Sequence, residues 1–282
     1  MPDHEGGTAD VADKIRADVA LVRQQLCDSR ERARAAIMEG RVFFGGKRIN
    51  KPSEAIDPET VLTLKSSENE YVSRGALKLE KAIRVFNADL KDRVVMDIGA
   101  STGGFTDICL RNGARRVFSI DVGYGQLDWK LRNDPRVTVM ERTNARYLEI
   151  SSFSERPSVT VMDVSFISIS LILPVAISIM GDEGVIYTLI KPQFEAGRGK
   201  VGKNGVVRDP ATHEEVLNTI IAFSDQLGWP VRKMDYSPIT GPKGNIEFIA
   251  EMRKKQDGNP VITREQVSNL VREAHIQMDH PA

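Results

Sequence analysis

Apolar residues from position 75 onward alternate between short continuous runs and segments with helical spacing. The runs predict seven strands, at residues 94–98, 116–121, 137–140, 159–163, 185–190, 231–236 and 246–252. The helically spaced segments predict helices at residues 75–86, 104–112, 168–179 and 211–227. Such alternation predicts an α/β fold, with a Rossmann-like, doubly wound sheet of seven mostly parallel strands. Because a short Pro- and Gly-rich turn joins the last two strands, we expect one antiparallel strand at that edge.

The residues before position 75 show a smaller and different pattern. Apolar residues from Ile15 to Ile37 have helical spacing that is interrupted near Cys27 and Asp28, which predicts two short helices. The Gly45-Gly46 pair lies between two β-favouring segments and predicts a hairpin, and residues 61–64 predict a further strand. Together these elements predict a small α+β module.

These patterns divide the chain into five parts. The first residues are polar and acidic and have no periodicity, which is typical of a disordered tail. The last residues are also polar, although positions 263–278 predict one more helix. The predicted parts are a tail at 1–12, the small module at 13–66, a linker at 67–73, the α/β domain at 74–253 and an extension at 254–282.

Charge is distributed unevenly along a chain whose formal net charge is zero. Residues 14–51 hold ten basic and four acidic residues, so the small module carries a compact basic segment. A local excess of positive charge favours a polyanionic partner such as RNA. The candidate RNA-binding residues are Lys14, Arg16, Arg23, Arg30, Arg32, Arg34, Arg41, Lys47, Arg48 and Lys51.

Composition also excludes several classes of protein. No apolar run approaches the roughly 18 residues that span a bilayer, and the N-terminus lacks the basic start and apolar core of a secretory signal. The two cysteines, Cys27 and Cys109, are too far apart to suggest a metal site and are expected to be reduced thiols. We therefore expect a cytoplasmic protein that has no membrane segment and needs no metal.

A glycine-rich segment follows the first predicted strand of the α/β domain. Ligands bind at the carboxyl ends of parallel strands, where glycines let the backbone approach and the next helix offers free N–H groups. The segment lacks the Gly-x-Gly-x-x-Gly spacing of a dinucleotide site, and it lacks the Gly-Lys-Ser/Thr of a P-loop. It suits a methionine carboxylate and amine better than a pyrophosphate. The candidate ligand-binding residues are Asp97, Gly99, Ala100, Ser101, Thr102, Gly103, Gly104 and Phe105.

A second acidic residue supports a nucleoside-containing ligand. Asp121 ends the second predicted strand, 24 residues after Asp97. In nucleotide-binding βαβ units an acidic residue about 20 residues along binds the ribose hydroxyls. Asp121 and the adjacent Val122 are therefore further candidates, and the glycine-rich segment with Asp121 indicates S-adenosylmethionine as the ligand.

Four charged residues lie at strand ends or next to the sheet. Asp163 ends the fourth predicted strand, Lys191 follows the fifth, Glu247 lies in the last, and Lys78 lies in the preceding helix. A lysine at such a position is costly unless it is paired, and each residue alone is compatible with a simple ion pair. Together they predict an acid–base site, in which burial lowers a lysine pKa. Such a lysine could orient or deprotonate a ribose 2′-hydroxyl that attacks a sulfonium methyl group.

Several motifs together give the sequence a resemblance to a known family. They are YVSRGALKL from Tyr71, DIGASTGGFTD from Asp97, DVGYGQL from Asp121, the stretch from Asp134 to Arg146, DVSFIS from Asp163, KPQFEAGR from Lys191, GVVRDP from Gly205 and SPITGPKGNIEF from Ser237. In this order they resemble the TlyA family of ribosomal RNA 2′-O-methyltransferases, which are FtsJ-like and also bear the name hemolysin. The resemblance covers about residues 14–253. The small module departs from the family at the hairpin, where Phe44-Gly45-Gly46 replaces Val-Asn-Gly, and at the first helix, which begins Ile15-Arg16-Ala17-Asp18.

The resemblance implies a class I methyltransferase sheet and a ribosomal-protein-type RNA-binding domain. It implies methyl transfer from S-adenosylmethionine to a cytidine 2′-hydroxyl of ribosomal RNA, as naked RNA or within ribosomal subunits. It assigns Lys78, Asp163, Lys191 and Glu247 to a catalytic tetrad, and it adds Asn144 and Asp163 to the donor site. The oligomeric state stays open.

Two other functions were weighed against this one. A membrane-active hemolysin would need an amphipathic or spanning segment, and the apolar residues 168–179 are interrupted by Pro174. A catalytically silent protein that binds RNA and the donor is disfavoured because all four tetrad residues are present.

Overall fold

The computed structural model describes residues 14–38, 40–65, 71–256 and 260–279. The predicted tail at 1–12 and most of the predicted linker lie outside these residues. The chain forms two compact units, one within residues 1–70 and one within residues 71–282.

The first unit is a small α+β module. Its elements are β1 (Ile15–Arg16), α1 (Ala17–Arg23), α2 (Arg30–Met38), β2 (Val42–Phe44), β3 (Lys47–Arg48), β4 (Ala55–Ile56) and β5 (Thr63–Leu64). The predicted hairpin is confirmed, since β2 pairs with β3 across a Gly45-Gly46 turn in which both glycines have positive φ. Strand β5 pairs with the other edge of β2, and β1 pairs with β4. The sequence did not indicate β1 or β4, because these two-residue strands have neither a β-favouring run nor a glycine turn beside them.

The second unit alternates helices and strands along residues 71–279. Its elements are α3 (Ala76–Phe86), β6 (Val94–Ile98), α4 (Gly104–Arg111), β7 (Arg116–Ile120), α5 (Trp129–Arg132), β8 (Val137–Met140), β9 (Val159–Met162), α6 (Leu173–Met180), β10 (Val185–Ile190), α7 (Pro192–Glu195), α8 (Pro210–Gln226), β11 (Val231–Tyr236), β12 (Phe248–Arg253) and α9 (Arg264–Asp279). The seven predicted strands all form, with ends within two residues of the predicted ones.

The seven strands form one sheet with the order β11-β12-β10-β9-β6-β7-β8. Strands β6, β7, β8, β9 and β10 pair with one another in parallel, as predicted for a doubly wound sheet. Strand β12 is antiparallel to both β10 and β11. The predicted antiparallel strand therefore exists and is the second strand from the edge, because β11 lies outside it.

Helices cover both faces of this sheet. In β6, Met96 and Ile98 join an apolar cluster with α6, α8 and α9, while Val95 joins a separate cluster with α3 and α4. The strand is therefore buried on both faces, which explains why its apolar residues Val94, Val95 and Met96 are consecutive instead of alternating with polar ones. The C-terminal residues of β6, β7, β9 and β10 consequently open at one edge of the sheet, where parallel α/β proteins bind ligands.

Two predicted helices differ from the observed ones in an informative way. The segment predicted at 168–179 is a short 3-10 turn at Ile169–Leu171 followed by α6, and Pro174 lies in the first turn of α6. Proline fits there because the N–H groups of a first turn have no helical partner. The helix predicted at 263–278 is α9, which contributes Val267 and Val271 to the core.

Candidate active site

Two adjoining cavities lie at the carboxyl ends of the parallel strands. The first has a volume of about 520 Å³ and is bordered by the glycine-rich turn after β6 and by the residues that follow β9 and β10. The second has a volume of about 340 Å³ and lies against the residues that follow β7 and β8. Both cavities are lined by Gly99, Ser101, Asp163, Ser165 and Phe166, so they meet beside Asp163.

The turn between β6 and α4 depends on glycine at its first position. Gly99 has φ +86°, and a Cβ there would lie 2.7 Å from the backbone oxygen of Asp163. Glycine therefore lets the ends of β6 and β9 approach closely. The turn also places Ser101 in a left-handed conformation, with φ +49°. It leads to the N-terminus of α4, whose first N–H groups have no partner within the helix.

Most of the predicted loop residues line the first cavity, but two do not. The lining residues are Gly99, Ala100, Ser101, Thr102, Gly104 and Phe105. Gly103 lines neither cavity, because its open side is filled by the side chains of Leu127 and Leu131. Contact of Gly103 with the ligand stays a prediction, and in this structure the glycine lets the turn pack against α5 and the loop before it.

Asp97 also lines neither cavity. Its side chain is fully buried, and Oδ2 accepts a 2.6 Å hydrogen bond from Thr106 Oγ1, which lies 2.8 Å from Ser119 Oγ. Within the described part of the chain, Oδ1 has no hydrogen-bond partner. Burial raises the pKa of Asp97 to about 7. Direct contact of Asp97 with the ligand stays a prediction, and its observed contacts place it as a buried support beside the turn.

Asp121, Val122 and Asn144 line the second cavity, as does Asp163. The carboxylate of Asp121 accepts a 2.8 Å hydrogen bond from the Ser101 amide and a 2.7 Å bond from the Gly123 amide. Each carboxylate oxygen has two lone pairs, so Asp121 can hold the turn and still accept from a ligand hydroxyl. Asn144 caps a 3-10 turn through Oδ1, which leaves its amide N–H₂ for a ligand.

The structure brings the four predicted charged residues together beside the first cavity. Lys78 Nζ lies 2.7 Å from Glu247 Oε2 and 3.5 Å from Asp163 Oδ2. Lys191 Nζ lies 2.5 Å from Asp163 Oδ1 and 2.9 Å from Ser165 Oγ. The chain of contacts runs Glu247–Lys78–Asp163–Lys191, and all four residues line the cavity. Glu247 is only 1% exposed, so the network is sheltered from water.

The two lysines have different surroundings. Burial alone would lower the pKa of Lys78, but the carboxylates of Asp163 and Glu247 outweigh it, and the pKa is raised. The expectation of a lowered lysine pKa is therefore wrong for Lys78, which stays a cation between two carboxylates. Lys191 borders the junction of the cavities through Asp163 and Ser165, so it is the better placed of the two to meet a substrate hydroxyl.

Three further residues at the site were not singled out from the sequence. Gln193 Nε2 donates a 3.1 Å hydrogen bond to Glu247 Oε1 and so fixes the carboxylate at the end of the network. A Cβ on Gly241 would lie 2.7 Å from the same oxygen. Phe166 is 91% exposed with φ +64°, a conformation that is rare for an aromatic residue, and its ring centroid lies 5.1 Å from that of Phe194. Only the folded chain places these residues beside the tetrad.

A wide groove of about 1430 Å³ adjoins the first cavity. Exposed basic side chains of Arg146, Lys203 and Lys243 border it, together with Phe166 and Phe194. Positive charge beside exposed aromatic rings is typical of surfaces that bind single-stranded nucleic acid.

The ten basic residues predicted to bind RNA all lie in the described part of the first unit. Nine are exposed and Arg41 is half-buried. They are not equivalent, because Arg16, Arg30 and Arg34 all contact the buried Asp18, whereas Arg32 pairs with the exposed Asp28.

Neither a metal site nor a membrane-spanning helix is found in the described part of the chain. Across residues 14–38, 40–65, 71–256 and 260–279, no cluster of three or more His, Cys, Asp or Glu side chains is arranged to hold a metal ion. Over the same residues, no helix has both the length and the apolar character needed to cross a membrane.

A seven-stranded sheet with one reversed strand, a glycine-rich turn after its central strand and a charged network at the strand ends define a Rossmann-like methyltransferase. Comparisons with known proteins specify this class further. Residues 71–254 match the FtsJ-like methyltransferase family, and residues 15–62 match the S4 domain. The chain therefore belongs to the FtsJ-like methyltransferase family and carries an N-terminal S4 domain.

Relatives resemble the chain over most of its length. YqxC of Bacillus subtilis (strain 168) is 48% identical over 265 residues, which are 93% of this chain and 94% of that protein. A Mycobacterium tuberculosis protein named 16S/23S rRNA (cytidine-2′-O)-methyltransferase TlyA is 42% identical, over 88% of this chain and 92% of its own length. A solved structure from Streptococcus thermophilus, named as a hemolysin, has a TM-score of 0.73 at 47% identity and covers 95% of this chain and 98% of its own.

Proposed function

We propose that this chain transfers the methyl group of S-adenosylmethionine to a ribose 2′-hydroxyl of ribosomal RNA, with cytidine as the modified nucleotide. The observation that carries the proposal is the Glu247–Lys78–Asp163–Lys191 network at the junction of two cavities. The second cavity, which Asp121 lines, suits a nucleoside-containing donor. The first cavity adjoins the basic groove. The network stands between them, where a donor and an acceptor would meet.

The residues present fit the proposed donor. The Asp121 carboxylate can accept hydrogen bonds from a ribose diol, and Val122 and Asn144 line the same cavity beside it. The N-terminus of α4 and the glycine turn offer backbone N–H groups for a carboxylate. When bound, S-adenosylmethionine supplies an electrophilic methyl group on a sulfonium centre.

The charged network accounts for the acceptor side. Lys191 is positioned to orient an attacking 2′-hydroxyl by a hydrogen bond or to take its proton, while the hydroxyl oxygen forms a bond to the methyl carbon and the bond from that carbon to sulfur breaks. Asp163 orients the Lys191 amine, and Lys78 remains charged and holds Asp163 in place. Glu247 neutralises Lys78, and Gln193 holds Glu247. Each residue thus positions the next along the chain of contacts.

RNA as the acceptor is supported by three independent features. The first unit matches the S4 domain and carries the ten exposed or half-exposed basic residues. The groove beside the network adds Arg146, Lys203 and Lys243. A relative at 42% identity is named for 16S and 23S ribosomal RNA and for cytidine 2′-O-methylation. Ribosomal RNA as the substrate implies that the enzyme acts in the cytoplasm, on ribosomal subunits or on their naked RNA.

The test is methyl transfer from labelled S-adenosylmethionine to ribosomal RNA and to purified subunits, with two lysine variants of the same helix. Lys78→Ala should lower the rate by about a thousandfold, because it removes the cation between the buried carboxylate of Glu247 and the half-buried carboxylate of Asp163. Lys81→Ala is the matched control, since Lys81 also lies on α3 but pairs with Asp235 away from the cavities. It should retain the parent rate.

Donor binding separates catalysis from folding in this test. Titration calorimetry should show that Lys78→Ala and Lys81→Ala bind the donor within about threefold of the parent, because neither lysine lines the second cavity. Equal transfer rates for the two variants, with the donor bound in both, would show that the network is not the catalytic centre.

A further inference from the structure

The buried carboxylate of Asp18 lies at the centre of three arginine side chains in the first unit. Asp18 is in the first turn of α1, and its side chain is fully buried. Arg16 donates to it through Nε at 3.0 Å and a terminal nitrogen at 3.2 Å. Arg30 donates at 3.2 Å and Arg34 at 3.1 Å, both to Oδ2. One carboxylate therefore joins guanidinium groups from β1 and from α2, segments that are separate along the chain.

This arrangement supplies more positive charge than the carboxylate needs. One arginine neutralises a buried aspartate, whereas here three guanidinium groups leave a local excess of two positive charges. Hydrogen bonds from Arg16, and then from the other arginines, hold the pKa of Asp18 well below its usual range, so the carboxylate stays ionised. Without it, three like charges held this close would repel one another and spread apart.

The arginines keep their binding capacity for another anion. Their side chains are 45%, 53% and 55% exposed, while Asp18 is not exposed at all. A guanidinium group has five N–H donors, and Asp18 takes two from Arg16 and one each from Arg30 and Arg34. The remaining donors are in a fork geometry that matches the oxygens of a phosphate. Arg32 differs, because its partner Asp28 is itself 84% exposed.

We propose that Asp18 is a positioning residue that holds Arg16, Arg30 and Arg34 as one preformed site for a backbone phosphate of the RNA substrate. The inference rests on the proposed function for the identity of the anion. It adds that tight RNA binding by the basic surface requires the buried negative charge of Asp18. Arg30 and Arg34 are one helical turn apart on α2, so they face the same direction, and Asp18 adds Arg16 to that face. The site is organised before RNA binds, which reduces the entropy lost on binding.

Asp18→Asn distinguishes this role from simple electrostatics. Removing a negative charge from a basic surface ordinarily strengthens RNA binding. If Asp18 positions the arginines, affinity of the full chain for ribosomal RNA should instead fall about tenfold. The dependence of log Kd on log salt should become shallower, because the cluster no longer binds its phosphate. Donor affinity and the methyl-transfer rate at saturating RNA should stay at parent values, so that only the KM for RNA rises.

Asp28→Asn is the matched control, since it also removes one aspartate that pairs with an arginine of α2. It should leave RNA affinity unchanged or raise it slightly. Asp18→Asn binding as tightly as the parent, or more tightly, would overturn the proposal. If the parent itself neither binds nor methylates ribosomal RNA, the proposed function fails first, and that result is separate from any difference between variants.

A second variant covers the case in which Asp18→Asn unfolds the first unit, which hydrogen exchange of α1 and α2 would reveal. Arg34→Lys keeps the charge but loses the Nε donor to Asp18. It should weaken RNA binding about threefold to tenfold with normal exchange protection, and clearly more than Arg32→Lys on the same helix, whose arginine pairs with Asp28 and not with Asp18. Equal RNA affinity for Arg34→Lys and Arg32→Lys would contradict the proposal.

Discussion

Replacing Asp97 by asparagine should stabilise the second unit at neutral and higher pH. The aspartate is fully buried, and its Oδ1 has no partner within the described part of the chain. Asparagine is nearly the same size and can still accept the hydrogen bond from Thr106 Oγ1. The substitution therefore removes a buried charge and keeps the shape and the one good contact.

The magnitude follows from the pKa. Burial raises the pKa of Asp97 from an ordinary 3.8 to about 7. Between these values the native chain holds a proton that the unfolded chain has released, so the free energy of unfolding falls as pH rises and levels off above about 7. At about 1.4 kcal/mol per pKa unit, the full loss is about 4 kcal/mol at most. The advantage of Asp97→Asn over the parent should grow by about 3 kcal/mol between pH 5 and pH 8.

Urea unfolding followed by tryptophan fluorescence measures this difference. Both tryptophans, Trp129 and Trp229, lie in the second unit, so the signal reports the unit that contains Asp97. Asp89→Asn is the control, since it removes an exposed aspartate that caps a turn in the same unit. Its stability difference from the parent should not grow with pH.

Donor binding provides the second half of the test. Because Asp97 lines neither cavity, Asp97→Asn should change the donor Kd by less than about tenfold. A variant that is no more stable than the parent at pH 8 and loses donor binding by a hundredfold would refute the reasoning, since Asp97 would then be a charged ligand contact instead of a buried support.

Three other substitutions test parts of the site. Gly99→Ala should lower donor affinity by at least about tenfold in a binding titration, because its Cβ would lie 2.7 Å from the Asp163 backbone oxygen at φ +86°; parent-like affinity would show that the turn tolerates a side chain. Gln193→Ala should reduce the transfer rate about threefold to tenfold without changing donor affinity, because Glu247 loses one partner; an unchanged rate would remove Gln193 from the network. Phe166→Ala should raise the KM for RNA about tenfold, because the ring is exposed beside the groove; an unchanged KM for RNA would contradict this assignment.

The sheet could be predicted from the sequence because its strands are buried on both faces. Each of β6, β9 and β10 is a buried, mostly apolar run with a charged residue near its end, and such runs are recognisable without an alignment. The charged residues are Asp97 within β6, Asp163 directly after β9 and Lys191 directly after β10. The glycine-rich segment was recognisable for the same reason, since it follows directly after β6. The short strands β1 and β4 gave no signal, because no turn motif or β-favouring run marks them and their pairing depends on tertiary contacts.

The candidate site was predictable as an edge of the sheet and not as a set of contacts. A position at the end of a parallel strand places a residue at the ligand-binding edge of the sheet. It does not show whether the side chain enters a cavity there. Asp97 and Gly103 therefore appeared equivalent to their neighbours, although one is buried against Thr106 and the other is covered by Leu131. Gln193 and Phe166 could not be found in advance, because their roles depend on where α7 and the loop after β9 lie in three dimensions.

The convergence of arginines on Asp18 shows the same limit. Helical spacing predicts that Arg30 and Arg34 share a face of α2. It does not predict that a buried carboxylate from α1 joins them to Arg16, because that contact spans 16 residues of sequence. The ten basic residues are indistinguishable by their charge along the chain. In the structure, Arg16, Arg30 and Arg34 differ from the others because they contact the buried Asp18.

The most direct test of the proposed reaction is to locate the transferred methyl group. Ribosomal RNA labelled by the enzyme from S-adenosylmethionine is hydrolysed in alkali, which cleaves the chain only where a free 2′-hydroxyl can attack the adjacent phosphate. Transfer to a ribose 2′-oxygen predicts that the label appears in an alkali-stable dinucleotide whose first nucleotide is cytidine, and that Lys191→Ala abolishes it. Label recovered in a mononucleotide with a methylated base would contradict the account, as would an equal yield of the labelled dinucleotide from Lys191→Ala.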